Sequence, residues 1–306
     1  MTDHALVLDS AVKRYGAVAA LDGASFALGG GELVGLLGPN GAGKTTAIRA
    51  IAGRVALDAG RVELFGRTLA QSDARPELGV VPQEIAIYPL LTARENLEVF
   101  GALYGVAGTA LAARVRWALD WADLADRADE PTRRFSGGMK RRLNIACSLL
   151  HEPTVVLLDE PTVGVDPQSR ERIYEMLQTL RASGVSILLT THHLEEAEQR
   201  CERVVIIDRG RIVAAGAVGD LVRQTLGGAR TLTVTLARPL DTAAPAGLRL
   251  DPSGRRLTAD VRDVASEVPV LLARAAGAGG EVVDVDLGSA TLQDVFIALT
   301  GRELRE

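Results

Sequence analysis

The stretch Gly38-Pro-Asn-Gly-Ala-Gly-Lys-Thr-Thr46 decides the fold of this 306-residue chain. It matches the phosphate-binding pattern G-x-x-x-x-G-K-[ST], in which glycines let backbone N–H groups turn toward a phosphate. The apolar run 33–37 before it is typical of a buried strand, and residues 47–52 after it are typical of a helix. The N-terminus of that helix adds the positive end of its dipole. The sequence therefore predicts a strand, loop and helix that bind a nucleotide.

Two residues of this loop have distinct expected tasks. Lys44 can reach the β- and γ-phosphates of a nucleotide, and the hydroxyl of Thr45 can ligate Mg²⁺. We expect further nucleotide contacts from the rest of the loop, namely Gly38, Pro39, Asn40, Gly41, Ala42, Gly43 and Thr46.

Bulk composition narrows the classes of function. The formal net charge is −5, and lysine occurs only at Lys13, Lys44 and Lys140. The chain therefore lacks the basic footprint of a nucleic-acid-binding protein. Cys147 and Cys201 are isolated in the sequence, which predicts neither a disulfide framework nor a metal site and indicates a reducing, cytosolic compartment.

The sequence shows no pattern typical of a membrane-directing segment. The first five residues lack the basic region and apolar stretch of a signal peptide. No apolar run approaches the ~18 residues needed to span a bilayer. If the protein acts at a membrane, we expect a partner to supply the spanning part.

Apolar patterns indicate a large α/β domain over residues 1–225. Continuous apolar runs at 155–158, 186–189 and 204–207 predict strands that are buried on both faces, as in a parallel sheet. A helical pattern at 168–180 completes a βαβ unit.

A change of character near Leu226-Gly-Gly-Ala229 predicts a small α+β domain over residues 226–306. Period-two alternation predicts half-exposed strands here, followed or separated by helices. The predicted strands lie at 231–236, 256–261 and 281–287, and the helices at 264–275 and 291–299. Asp284 and Asp286 share one strand face, and we interpret them as solvated carboxylates, not as a metal site.

An acidic pair, Asp159-Glu160, closes the run 155–158. Ligands of an open parallel sheet bind beyond the carboxyl ends of its strands. Asp159 could therefore hold Mg²⁺, directly or through water, and Glu160 could polarise an attacking water. Acidic residues also end strands for solubility alone, but the phosphate loop upstream favours the functional interpretation.

Four weaker features are ambiguous when each is taken alone. Ser136-Gly-Gly138 opens a helix and could bind an anion, although an ordinary N-cap is the commoner explanation. The amide of Gln83 could reach Mg²⁺ or the water, or lie on the surface. His192 could donate to a γ-phosphate, or belong to a surface loop. Tyr15 could stack on adenine, or simply pack.

Taken in order, these six features resemble the nucleotide-binding domain of an ATP-binding cassette (ABC) protein. The resemblance covers about residues 4–225. It implies an α/β P-loop NTPase core with an antiparallel β subdomain and a helical subdomain at about 88–150 that contacts a permease. It also implies ATP and Mg²⁺ as the bound groups.

The resemblance assigns a role to each candidate residue. Tyr15 corresponds to the adenine-stacking aromatic, and Gln83 to the Q-loop glutamine that reaches Mg²⁺ and the water. Residues 38–46 correspond to the Walker A loop and residues 155–159, ending at Asp159, to the Walker B strand.

The remaining motifs follow in the order that the family shows. Ser136, Gly137 and Gly138 correspond to the signature, and Glu160 to the catalytic base. Residues 163–166 correspond to the D-loop, which ends at Asp166, and His192 to the switch histidine.

Two positions depart from the family pattern. Phe135 stands where the signature usually has Leu, and Val165 stands where the D-loop usually has Leu. Neither position is expected to touch phosphate, so the resemblance implies an active site.

The resemblance also implies partners. One phosphate loop and one signature imply a head-to-tail homodimer that holds two ATP molecules, each between Lys44 of one subunit and Ser136 of the other. Residues 135–142, 160–168 and 190–198 are similar to ABC-2-type exporters, with the daunorubicin-resistance type of drug and antibiotic export ATPases as the nearest group. Residues 290–301 resemble the C-terminal accessory domain of that group.

Such exporters imply a separate integral-membrane permease, a place at the cytoplasmic face of the cell membrane, and a drug, antibiotic, lipid or similar amphipathic substrate. One alternative is an ABC ATPase that acts on nucleic acid or the ribosome. Such proteins usually show two cassettes, a coiled-coil insertion or basic patches, and the sequence shows none of these. A second alternative is an ATP-driven membrane role without transport, which the sequence does not separate from export.

Overall fold

The computed structural model describes residues 4–69, 75–227, 230–240 and 242–301. Within them the chain divides into two compact units, 4–217 and 218–301. The helix at 218–226 groups with the second unit, whereas the sequence predicts the boundary between residues 225 and 226. Residues 228–229, 241 and 302–306 of the expected second domain lie outside the described residues.

The first unit contains two sheets and a group of helices. Its strands are β1 His4–Tyr15, β2 Val18–Gly29, β3 Leu33–Leu37, β4 Ala59–Leu64, β5 Arg67–Thr68, β6 Leu78–Val81, β7 Val155–Asp159, β8 Ser186–Thr191, β9 Arg203–Asp208 and β10 Arg211–Ala217. Its α-helices are α1 Lys44–Ile51, α2 Ala93–Leu103, α3 Gly108–Trp121, α4 Gly137–Cys147, α5 Pro167–Ala182 and α6 Leu194–Arg200.

A six-stranded sheet in the order β10-β9-β3-β8-β7-β6 positions the site. Its strands are parallel except β10, which is antiparallel to β9. Every residue of β3, β7 and β8 is buried, which explains their continuous apolar sequences. The carboxyl ends of these three strands lie together at one edge, at Leu37, Asp159 and Thr191. The phosphate loop, the acidic pair and the histidine all emerge there.

A second sheet in the order β2-β1-β4-β5 is antiparallel. Its apolar face shares one core with the six-stranded sheet, since Leu6 and Leu8 of β1 cluster with Val34, Leu157 and Leu188. Continuous burial of this kind is the main stabilising contribution to such a layered domain. The predicted antiparallel β subdomain and the α/β core are confirmed.

Helices α2, α3 and α4 form the helical subdomain. Their facing side chains, among them Leu97, Leu119 and Leu143, make a separate buried cluster. Helix α2 begins with a capping box, in which Thr92 accepts from the N–H of Glu95 and Glu95 accepts from that of Thr92.

The second unit is an α+β module, as predicted. Its elements are α7 Val218–Leu226, β11 Arg230–Leu236, β12 Arg249–Leu250, β13 Arg256–Val261, α8 Val264–Gly277, β14 Val282–Ser289 and α9 Leu292–Thr300. The strands form an antiparallel sheet in the order β12-β13-β11-β14. Leu232, Val234 and Leu271 belong to its core. Among the helices of the described residues, none is both long and apolar enough to cross a membrane.

Candidate active site

The phosphate loop joins β3 to α1, and its glycines are sterically required. Gly41 and Gly43 have φ values of 79° and 113°, in the left-handed region that favours glycine. A Cβ on Gly43 would lie 2.4 Å from the carbonyl oxygen of Ala20, and one on Gly38 would lie 2.2 Å from that of Ile207. The loop therefore keeps its shape only with these residues.

Lys44 fills the base of this loop. Its side chain is buried, and Nζ donates to the carbonyl oxygens of Gly38 at 2.7 Å and Pro39 at 3.2 Å. Nζ also lies 3.5 Å from Oε1 of Glu160. Burial lowers the pKa of Lys44, and the negative charges of Glu160 and Asp159 oppose that shift. The cation is thus held beside the acidic pair.

Asp159 and Glu160 are held by a hydroxyl that the sequence analysis did not single out. The buried Thr190 donates from Oγ1 to Oδ1 of Asp159 at 2.8 Å and accepts from the N–H of Glu160 at 2.9 Å. Glu160 itself has φ of 47°, a conformation that non-glycine residues adopt mainly where the surroundings enforce it. Asp159 also accepts from Oγ1 of Thr45 at 3.3 Å.

Three predicted site residues converge on the carboxylate of Glu160. Nε2 of Gln83 donates to Oε2 at 2.9 Å, Nδ1 of His192 lies 3.2 Å from Oε1, and Lys44 approaches the same Oε1. The Glu160 side chain is buried, so these groups and not bulk water determine its orientation. Such an arrangement suits a carboxylate that orients and deprotonates a water.

A cleft of about 290 Å³ lies over the loop. Tyr15 stands at this cleft with half of its surface exposed, and Nζ of Lys13 lies 5.7 Å from its ring centroid. The other lining residues are Ala20, Pro39, Asn40, Gly41, Gly43, Lys44, Thr45, Thr46, Gln83 and Glu160. Glycine backbone and one ammonium are the groups that a polyphosphate requires.

The donor set also fits Mg²⁺. Thr45 and Asp159 bring a hydroxyl and a carboxylate within 3.3 Å of each other, and Mg²⁺ in nucleotide sites uses few protein oxygens beside the phosphates. In the part of the chain that the structure describes, no group of three or more His, Cys, Asp and Glu side chains is arranged to hold a metal by itself.

The signature residues are not part of this cleft. Ser136 caps α4 by accepting from the N–H of Met139 at 3.2 Å, and Ser136 and Gly137 are exposed. A Cβ on Gly138 would lie 2.0 Å from Oγ of Ser169, so glycine permits the close approach of α4 to α5.

Asp166 has a similar place, because it caps α5 by accepting from the N–H of Ser169 at 2.9 Å. Among the described residues that line the cleft over Lys44, none is a signature residue or Asp166.

The helix after His192 has an anchor that sequence patterns did not indicate. Glu196 accepts from Oγ1 of Thr162 at 2.9 Å and from the hydroxyl of Tyr174 at 2.7 Å, and it pairs with Arg170 at 2.8 Å. These partners come from the segment after Glu160 and from α5. The contacts therefore fix α6 relative to the acidic pair.

Known proteins that are similar to this chain in sequence and in fold are ABC ATPases. The family model described as ABC transporter matches residues 21–163. The chain is 41% identical over 298 residues to the Nod factor export ATP-binding protein I of Ralstonia nicotianae, covering 96% of this chain and 93% of that one. It is 38% identical to the daunorubicin resistance ATP-binding protein DrrA3 of Streptomyces coeruleorubidus, covering 100% and 98%.

Solved structures agree with this assignment. A dimeric ATP-binding cassette in a post-hydrolysis state, bound to ADP and Pi, matches with a TM-score of 0.63 and 26% identity over 69% of this chain and 98% of that one. The prediction of nucleotide binding and ATP hydrolysis is confirmed. This chain belongs to the ABC transporter family, as an ATP-hydrolysing, ATP-binding subunit of the ABC-2-type exporter group.

Proposed function

We propose that this chain powers a separate integral-membrane permease that exports an amphipathic molecule such as a drug, an antibiotic or a lipid. The observation that carries the ATP-driven part of this proposal is the convergence of Gln83, His192 and Lys44 on the Glu160 carboxylate beside the phosphate loop. The relatives named for daunorubicin resistance and for Nod factor export support the export direction.

The phosphate loop and Tyr15 bind ATP in this proposal. Backbone N–H groups of the loop and of the N-terminus of α1, together with the ammonium of Lys44, would bind the phosphates and stabilise the charge that develops on the γ-phosphate during transfer to water. Lys44 is already desolvated, so its attraction for phosphate oxygens is stronger than that of an exposed lysine. Tyr15 stacks on the adenine.

Glu160 is the proposed general base. It accepts a hydrogen bond from the attacking water and draws its proton away, while Gln83 and His192 hold its two oxygens in place. His192 also donates to the γ-phosphate. Thr45, Asp159 and Gln83 would hold Mg²⁺, which when bound neutralises phosphate charge.

The proposed assembly is a head-to-tail homodimer. Ser136, Gly137 and Gly138 lie at the N-terminus of α4, outside the cleft of their own subunit, and the exposed residues Ser136, Gly137 and Asp166 are available to a nucleotide held by a second copy. The dimeric state of a structurally similar cassette supports this arrangement. Docking to a permease places the protein at the cytoplasmic face of the cell membrane.

The small C-terminal domain has a separate proposed role. The expected division into a cassette of residues 1–225 and an accessory domain of residues 226–306 stays a prediction, and α7 groups with the second unit. Strand β14 lies at the edge of its sheet, and Val283 and Val285 on it are exposed. An edge strand with exposed apolar residues can pair with a second copy. We assign this domain to stabilisation or regulation of the dimer.

Glu160→Gln tests the catalytic assignment. The variant keeps the size of the side chain but removes the base, so steady-state ATP hydrolysis should fall by about 10²–10⁴-fold. Binding of a fluorescent ATP analogue should persist, and size-exclusion chromatography with ATP and Mg²⁺ should show a trapped dimer. Wild-type turnover by this variant would exclude Glu160 as the base.

Two alternative functions are compared with export: an ATPase that acts on nucleic acid or the ribosome, and an ATP-driven membrane role without transport. An ATPase that acts on nucleic acid or the ribosome is not favoured, because the similar curated proteins are export or resistance subunits. An ATP-driven membrane role without transport shares every residue of the site. It is distinguished from export by accumulation of substrate in inverted vesicles that contain the complex.

A further inference from the structure

Arg141 is a buried arginine to which neither the motifs nor the proposed reaction assigns a task. It lies on α4 and is only 2% exposed. Its guanidinium donates to three carbonyl oxygens: from Nη1 to Pro82 at 2.9 Å, from Nε to Pro161 at 2.8 Å and from Nη2 to Glu160 at 2.5 Å. One side chain therefore bonds both the backbone just before Gln83 and the backbone at and just after Glu160.

The geometry of the guanidinium makes this possible. Arginine has five N–H donors in a rigid planar fork, whereas lysine has a single flexible ammonium. Pro82 immediately precedes Gln83, so the three acceptors belong to the segments that bring Gln83 and Glu160 together. Burial lowers the pKa of Arg141, and the charges of Asp159 and Glu160 oppose that shift.

We propose that Arg141 is a positioning residue that couples the helix bearing Ser136 to the catalytic carboxylate of the same subunit. The inference rests on the proposed head-to-tail dimer, in which Ser136 serves one nucleotide and Glu160 serves the other. A shift of α4 on engagement of a γ-phosphate at Ser136 is transmitted through Arg141 to the backbone of Gln83 and Glu160. The two sites therefore hydrolyse ATP cooperatively.

The next residue, Arg142, provides a matched control. It lies on the same helix with a largely buried side chain, and it also donates to backbone carbonyls. Its acceptors are the carbonyl oxygens of Ala122 and Asp123 and the carboxylate of Asp123, at the end of α3. Arg142 therefore anchors α4 within the helical subdomain and has no bond to the segments of the cleft.

The experiment compares Arg141→Lys with Arg142→Lys in the full chain. We would measure kcat, KM and the Hill coefficient of ATP hydrolysis, the Kd of a fluorescent ATP analogue, and Tm. Loss of charge-assisted hydrogen bonds should lower kcat of Arg141→Lys by at least about tenfold. Its Hill coefficient should move toward one while the Kd stays within about twofold, since Arg141 does not line the nucleotide cleft. Arg142→Lys should keep the wild-type kcat and Hill coefficient, even if its Tm falls as much as that of Arg141→Lys.

Two results would overturn the inference. One is a wild-type kcat and Hill coefficient for Arg141→Lys. The other is a parallel loss of kcat and Tm in both variants, which would indicate general structural support. If Arg141→Lys fails to fold, Arg141→Gln retains one amide NH2 group, with two N–H donors, without the buried charge and should show the same loss of cooperativity. A wild-type protein that binds ATP without hydrolysing it would instead refute the proposed function, and this inference with it.

Discussion

Thr190→Val tests whether the hydroxyl of Thr190 holds Asp159 and Glu160 in place. Valine has nearly the shape of threonine but no hydroxyl, so the change removes both bonds of a fully buried side chain. An orphaned N–H of Glu160 costs about 1–3 kcal/mol, and the lost bond to the Asp159 carboxylate costs about 1.5–3 kcal/mol. For a domain of this size each kcal/mol lowers Tm by about 2–4 °C, so we expect a fall of roughly 5–24 °C.

The rate of ATP hydrolysis should also fall, because Thr190 fixes the strained backbone of Glu160. A displacement of a catalytic group by about 1 Å can cost about 100-fold, so we expect ATP hydrolysis to fall by about 10–100-fold. Thermal melting and a steady-state phosphate-release assay measure the two effects.

Ser186→Ala is the matched control for this substitution. Ser186 lies at the opposite end of β8 from Thr190, and its hydroxyl accepts from the N–H of Gly31. Ser186→Ala removes that bond and should lower Tm while turnover stays normal. Turnover of Thr190→Val within twofold of the wild type would refute this reasoning.

The remaining predictions concern Lys44 and the accessory domain. Burial lowers the pKa of Lys44 from its ordinary value of 10.5, so between its folded pKa and 10.5 the unfolded chain binds more protons than the folded one. In that alkaline pH range the contribution of Lys44 to the free energy of unfolding should rise with pH, while the affinity for ATP should fall as the ammonium loses its proton. Denaturation curves measure the first trend and ATP titrations measure the second. Both trends should be absent in Lys44→Met. Val283→Lys places a charge on the exposed edge strand and should weaken dimer formation without changing ATP binding; an unchanged dimer in light scattering would count against the accessory role.

Much of the fold was predictable because its signals are local. The phosphate loop, the continuous apolar strands and the alternating C-terminal strands each lie within a short segment, and each formed the element that its pattern predicts. The resemblance to ABC proteins, which rests on the order of the motifs along the chain, predicted the remaining subdomains of the cassette.

The contacts made by Thr190, Glu196 and Arg141 were not predictable in the same way. Each depends on side chains that are distant in sequence, and single-sequence patterns do not report such pairs. Thr190 alone left a usable signal, because parallel pairing of β7 with β8 sets it opposite Asp159. Arg141 follows the signature in a run of basic residues that resembles a solvated surface, although it is buried.

The most direct test of the central claim is capture of the partner. Tagged Glu160→Gln protein, held with ATP in its proposed trapped state, would be isolated from its own cells in a gentle detergent and its partners identified by mass spectrometry, with a Lys44→Ala variant as the nucleotide-free control. We expect a polytopic membrane protein that is enriched over the control. Recovery of only ribosomal, nucleic-acid-associated or other soluble partners would contradict it.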